Sequence, residues 1–169
     1  MTELVTVTER GRELAFSFED INRYHGGGSP AGVATAFTVL QRAFALLSPQ
    51  APPARRSVII RTAFRGPGAR DGFEAVTRAV SDDRFTVDRT LVRPDLGRLR
   101  EDFVFCIGIG GSTVTLALRD GFVTDEFIDL ARTQNRTAPQ EARLDDLKGT
   151  LAQQLLATPA EQIYDTLAG

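Results

Sequence analysis

Between Pro30 and Leu47 the chain carries Val33, Phe37, Leu40, Phe44 and Leu47 at helical spacing. Apolar residues recurring at three and four positions define one face of a helix. Ala31, Ala34, Ala36 and Ala43 leave room there for close packing. Proline is tolerated in a first helical turn, so Pro30 can open the helix, and the run Ser48-Pro-Gln-Ala-Pro-Pro53 ends it. Upstream, Ser17 with Asp20 three positions on makes a capping box for a short helix, which Gly26, Gly27 and Gly28 interrupt.

The remaining punctuation alternates strands with helices. Leu4 to Thr8 and Glu13 to Phe16 read as strands about an Arg10-Gly11 turn. Ser57 to Phe64 is rich in β-formers and predicts a central strand. Gly66-Pro67-Gly68 ends it, and Asp71 to Val80 returns to a helical period. Phe85 to Val92 predicts a strand with one solvated face. Phe103 to Ile109 is a nearly continuous apolar run, expected as a buried strand, and Gly110-Gly111 turns it into a hairpin with Ser112 to Arg119. The last third predicts helices from Thr124 or Asp125, from Glu141 to Leu156, and from the box Thr158-Pro159-Ala-Glu161 onward. The expected class is α+β, a mixed or antiparallel sheet packed against helices with a helical C-terminal third. No internal repeat or long linker divides residues 1–169, so one domain is expected.

Bulk properties narrow the function classes. The 169 residues include 20 basic and 22 acidic ones, and a nucleic-acid footprint would show as a basic domain or stripe. Cys106 is the only cysteine, so no internal disulfide and no cysteine zinc finger is expected. The N-terminus lacks the apolar core of a signal peptide, and no apolar run approaches the ~20 residues of a membrane span. A cytoplasmic protein without membrane or nucleic-acid partners is the expectation.

The segment Tyr24-His25-Gly26-Gly27-Gly28-Ser29-Pro30 is where chemistry is expected. His25 is the only histidine. The glycines allow positive φ or close approach to a ligand, and they feed a helix N-terminus, whose free N–H groups favour an anion. His25 and Ser29 are therefore the candidate catalytic residues, with Gly26, Gly27 and Gly28 binding ligand beside them. The competing reading makes Ser29 a helix cap and His25 a surface loop residue. The glycines match neither a P-loop nor a dinucleotide fingerprint. Arg61 and Arg65 flank the end of the central strand, and arginine forks suit carboxylates and phosphates. Arg61 interrupts an apolar strand and needs a partner such as Asp88; both, with Arg65, are candidate ligand-binding residues. Cys106, within Phe-Val-Phe-Cys-Ile, reads as a small buried hydrophobe.

On these residues the chain resembles the FmdE family, named for a component of formylmethanofuran dehydrogenase. The family signature is like Phe-His-Gly-His-x-Cys-Pro-Gly followed by an alanine- and glycine-rich helix. Tyr24 to Ala31 occupies that frame, and Gly32 to Leu47 looks like the next element. Val87-Asp88-Arg89, Gly97-Arg98 and Thr158 to Tyr164 are similar to later family segments. The resemblance implies an α+β core, a homodimer, a pocket at His25 and Ser29, a transition metal such as zinc, and a place in a larger oxidoreductase complex. Here the family's second histidine is Gly27 and its motif cysteine is Ser29, so His25 alone remains as a metal ligand. The C-terminal zinc finger common in the family has no cysteines here.

Three readings follow. The first is a divergent FmdE-like domain binding a small, anionic ligand or a metal at the His25–Ser29 loop. The second is a non-catalytic subunit or scaffold with an eroded metal site, acting through dimer or partner interfaces. The third is an unrelated enzyme using Ser29 as nucleophile and His25 as base.

Overall fold

The computed structural model describes residues 3–168. Among them it forms an α+β fold of five helices and seven strands. The chain opens with a hairpin, β1 (Val5–Glu9) and β2 (Arg12–Phe16). Arg10 and Gly11 both take positive φ at its turn, 52° and 77°. Such a two-residue turn matches the right-handed twist of the strands it joins. Helix α1 (Phe18–His25) begins with the expected capping box of Ser17 and Asp20 and ends on Gly26 at φ 97°. Helix α2 (Pro30–Leu47) follows after three further residues.

A mixed five-stranded sheet carries the rest of the chain. Its order is β4-β3-β5-β6-β7, from β3 (Ile59–Thr62), β4 (Phe85–Val87), β5 (Val104–Ile109), β6 (Ser112–Leu118) and β7 (Tyr164–Leu167). Only β3 and β4 pair in parallel. Parallel neighbours need a crossover, and α3 (Pro67–Thr77) supplies it. Helices α4 (Asp125–Arg132) and α5 (Ala138–Ala157) lie between β6 and β7 in the chain.

Helix α2 is the centre of the molecule. Twelve of its residues between Ala31 and Phe44 are buried, which a helix apolar on most sides requires. By length and hydropathy α2 would also pass as a membrane span, but 67% of it is buried inside the protein. It packs against α3 through residues without bulk. A Cβ at Gly32 would meet the Ala69 amide nitrogen at 2.9 Å, and one at Gly72 would meet the Ala36 Cβ at 2.7 Å. The inner sheet face adds Ile60, Phe105, Ile107, Leu116 and Tyr164, all at 1% exposure or less.

Several expectations are corrected. The last predicted helix is instead a single 3-10 turn, Ala160–Gln162, leading into edge strand β7. Proline at 159 starts a turn, but the pairing of Tyr164 with Leu118 continues the chain as strand. The predicted strand over 85–92 stops at Val87, because the Asp88 carboxylate accepts from the Thr90 N–H at 3.0 Å and draws the backbone into a 3-10 turn. Such local side-chain bonds compete with ladder pairing. Helix α3 starts four residues earlier than its periodicity indicates, at Pro67. Helix α5 starts at Ala138, capped by Thr137 and Gln140.

Candidate functional site

His25 closes α1 and reaches α3. Its Nδ1 lies 2.8 Å from Asp71 Oδ2, and its side chain is 9% exposed against 34% for Asp71. The pairing is imposed by the helices: α1 stops at Gly26 with His25 in its last turn, while α3 holds Asp71 one turn beyond Gly68. With Nδ1 bonded to a carboxylate, the neutral ring carries its proton there and leaves Nε2 as an acceptor. That Nε2 is buried and has no hydrogen-bond partner, and one turn back on α1 Asn22 Oδ1 is in the same position. Buried polar atoms are nearly always satisfied, so these two leave hydrogen-bonding capacity unspent on one side of α1.

Gly28 lies beside this imidazole. A Cβ built on Gly28 would sit 4.0 Å from Nε2, and the Gly28 carbonyl accepts from Lys148 Nζ at 3.5 Å. Gly26 and Gly27 take positive φ, 97° and 83°, and both donate their N–H to Asn22 O. They make the sharp exit from α1 that brings Ser29 to the head of α2. Ser29 is the N-cap residue, as expected, but its hydroxyl makes no capping bond.

The N-termini of α2 and α3 meet at this point. A Cβ at Gly68 would be 2.5 Å from the Ser29 carbonyl oxygen, so only glycine fits. Both helices begin with proline and neither has an acid in its first turn. Among the described residues, the N–H groups of Ala31, Gly32, Gly68 and Ala69 have no protein acceptor, although all four residues are buried.

A cavity of about 610 Å³ opens at this junction. Ser29, Ala31 and Gly32 of α2 and Gly66 and Gly68 of the α3 entry form one wall. Phe64, Phe103, Phe127, Ile128, Leu144 and Leu151 supply an apolar interior, and Arg65, Arg98, Arg132, Arg136 and Lys148 line it as well. Three of the cations are engaged elsewhere: Arg98 with Asp125 and Asp129, Arg132 with Glu101, Arg136 with Glu141. Arg65 makes no ion pair, and Lys148 touches only the Gly28 carbonyl, among the described residues. Asp102 also lines the cavity and pairs with Arg89 at 3.0 Å.

The structure thus brings His25, Gly28, Ser29 and Arg65 to one end of α2 and α3. It does not bring Arg61 or Asp88 there. Arg61 is exposed and sits 3.6 Å from Asp88 on the outer side of the sheet. The pairing with Asp88 is as expected, whereas the burial inferred for Arg61 is not. Alternation on β3 turns Ile60 and Thr62 inward and leaves Arg61 facing out. Cys106, opposite Arg61, is half-buried on the same outer side. Ser29 Oγ and His25 Nε2 share no hydrogen bond, so no serine–histidine pair is formed. Asp71 and Lys148 are the residues that sequence reasoning missed. Asp71 stands six positions after Arg65 in a stretch read only for its helical period, and Lys148 comes from a helix read only for its leucines.

A transition metal fits this site poorly. Nδ1 of His25 is taken by Asp71, Nε2 is one donor, and no group of three metal-ligating side chains occurs among the described residues. Zinc sites use three or four such ligands. No family model and no curated protein matches the chain.

Proposed function

We propose that the chain is a binding domain for a small anionic molecule, held where the His25–Ser29 loop enters α2. The observation that carries this reading is the buried, unpartnered Nε2 of His25, fixed in orientation by Asp71 and adjacent to a helix N-terminus that has no acid of its own. A carboxylate or phosphate there would accept from the free N–H groups of Ala31 and Gly32. His25 would donate to it when protonated, or take a proton from it when neutral. Asp71 is a positioning residue in this scheme. The relation to the FmdE family belongs to the same reading: the loop keeps a histidine at the family's first position, while Gly27 and the weakly donating Ser29 stand at its other ligand positions.

The test is thermal denaturation with inorganic phosphate and with acetate, for the wild type and for His25→Ala. A stabilisation by either anion that is lost in the variant supports the reading. Equal responses in both proteins, or none in either, refute it. Metal analysis of the purified protein completes the test, since stoichiometric zinc removed by His25→Ala would replace an anion site with a metal site.

A second reading, a homodimeric interaction subunit in the cytoplasm, is favoured by Ile59. This residue is 52% exposed on the outer side of the sheet, beside Arg61 and half-buried Cys106. Sedimentation of the wild type and of Ile59→Glu decides it: a dimer dissociated by the variant supports this reading, and a monomer in both rejects it.

A further inference from the structure

The cleft around Arg55 and Tyr24 is roomy, about 670 Å³, but its polar groups are spent. Arg55 is bonded to Glu9 and to the carbonyls of Ala75 and Val76, and Glu74 accepts from the Ser81 N–H. The outer sheet face bearing Ile59 and Cys106 is open, and nothing shows what covers it beyond the reading already given. The cavity at the head of α2 and α3 is different, because its walls combine an apolar interior with unspent positive charge.

We infer that this cavity takes a hydrophobic monoanion, an aryl or medium-chain acyl carboxylate or sulfonate, with its apolar body among Phe103, Ile128, Leu144 and Leu151 and its acid group toward Ser29. The inference rests on the anion reading of the loop and names the class of ligand. Four observations converge on it. The volume, about 610 Å³, lies within the range of roughly 300–1,000 Å³ that small-molecule sites span. Its interior side chains are apolar: Leu144, Leu151, Phe103 and Ile128 are 2%, 5%, 5% and 7% exposed. Lys148 and Arg65 line it without an ion pair among the described residues, every other cationic lining residue is already paired, and the one carboxylate in the lining, Asp102, is itself within reach of Arg89. Four amide N–H groups of the two helix entries lack acceptors in buried surroundings. A neutral hydrocarbon would leave those donors and cations unanswered, and a small hydrophilic anion would leave the apolar interior empty. His25, whose unpartnered nitrogen lies next to Gly28, stands outside the cavity lining, on the loop that leads to Ser29.

The acid group is expected on the Lys148 side of the cavity. Lys148 already reaches the Gly28 carbonyl at the limit of hydrogen bonding, 3.5 Å, so an anion near Ser29 would draw it away from a weak contact. Asp102, the one carboxylate in the lining, lies 3.0 Å from Arg89, which offsets its charge.

A matched pair of probes tests this. Anilinonaphthalene sulfonate and phenylnaphthylamine share an apolar body and differ by the sulfonate, and both fluoresce on transfer to an apolar site. The proteins compared are the wild type, the double variant Arg65→Gln with Lys148→Gln, Ala131→Trp at the cavity mouth, and His25→Ala. The expected result is saturable, one-to-one binding of the sulfonate to the wild type, weakened about tenfold in the charge variant as expected for two partly solvated ion pairs. Phenylnaphthylamine should bind more weakly and be indifferent to that variant, and Ala131→Trp should exclude both probes. Decanoate should displace the sulfonate and decanol should not. Equal binding of charged and neutral probes, or sulfonate binding untouched by the charge variant and by Ala131→Trp, overturns the inference. Sulfonate binding that survives in His25→Ala but not in the charge variant keeps the cavity and removes the loop reading. A phosphate or acetate effect that depends on His25, with no probe binding at all, keeps the loop reading and removes the cavity.

Discussion

Tyr164 Oη lies 2.8 Å from Thr38 Oγ1, joining the edge strand β7 to the middle of the central helix α2. Thr38 donates its own proton to the Ala34 carbonyl at 2.8 Å, which leaves a lone pair for the tyrosine O–H. The Thr35 carbonyl stands 3.2 Å away as a second acceptor. Tyr164 is 1% exposed, and burial pushes its phenol well above the usual range, with the Thr38 bond opposing the shift in part. Tyr164→Phe keeps the ring and its edge-on contact with Phe105 and removes one neutral hydrogen bond. A loss of about 1 kcal/mol is expected, read as an earlier midpoint in urea with an unchanged slope. A variant as stable as the wild type would show that the hydroxyl contributes nothing.

Gly68→Ala tests the helix crossing that shapes the site. The new methyl would meet the Ser29 carbonyl at 2.5 Å and the Ser29 Cβ at 2.9 Å. Backbone cannot rotate away as a side-chain tip can, so α2 and α3 must separate. The expected cost is about 1–3 kcal/mol, the range for overpacking a tight contact. Gly149→Ala on α5, where nothing lies within 4 Å of the added methyl, is the control and should stabilise by up to about 1 kcal/mol.

Asp71→Asn should alter His25 without unfolding the protein. Because the chain has one histidine, its imidazole nitrogens give the only such signals in a nitrogen-15 spectrum. At high pH the wild type should show the proton on Nδ1, toward Asp71. In the variant an amide replaces the carboxylate and the Nε2 tautomer should gain population. An identical spectrum in both proteins would mean that Asp71 does not orient the ring.

The pH dependence of stability is set by a carboxylate network at the turn end of the first hairpin. Hydrogen bonds from Arg56 and then Arg55 hold Glu9 below its usual value, and bonds from Arg56 and then Arg84 do the same for Asp82. A carboxyl depressed by folding stabilises the native state above its unfolded pKa of about 4, and that contribution is lost as pH falls through the folded value. Glu9→Gln should therefore lower the unfolding midpoint at pH 7, and the difference from wild type should shrink as pH drops below about 4. A constant difference from pH 7 to pH 3 would contradict the assignment.

What the chain discloses in one dimension follows from how local each signal is. The first hairpin, the Ser17–Asp20 box and α2 were legible because their causes lie within a few residues of each other: a glycine turn, a cap with its reciprocal partner, an apolar period. The loop at His25 and Ser29 was legible for the same reason. β7 was not, because its state is decided by Leu118 and Thr38, which are distant in sequence. The site was half legible. His25 stands out as the sole histidine, but Asp71 is 46 positions away and Lys148 is 120 positions from Gly28. Arg61 and Asp88 were rightly paired with each other and wrongly placed, since the two-residue alternation of a four-residue strand does not reveal which face is covered.

The glycine contacts between α2 and α3 also decide which wall of the cavity is held fixed. Two helices joined backbone to backbone at Ser29 and Gly68 cannot slide without breaking that contact, so they form the fixed wall of the cavity. The opposite wall is α4, an eight-residue helix with one buried residue, Ile128. Its acids are tied outward by ion pairs of Arg98 to Asp125 and Asp129 and of Arg143 to Glu126. Those latches are exposed and therefore screened by salt. In the proposed binding mode the frame of α2 and α3 stays fixed, and salt acts on the α4 side through these ion pairs while it weakens the affinity for an anion.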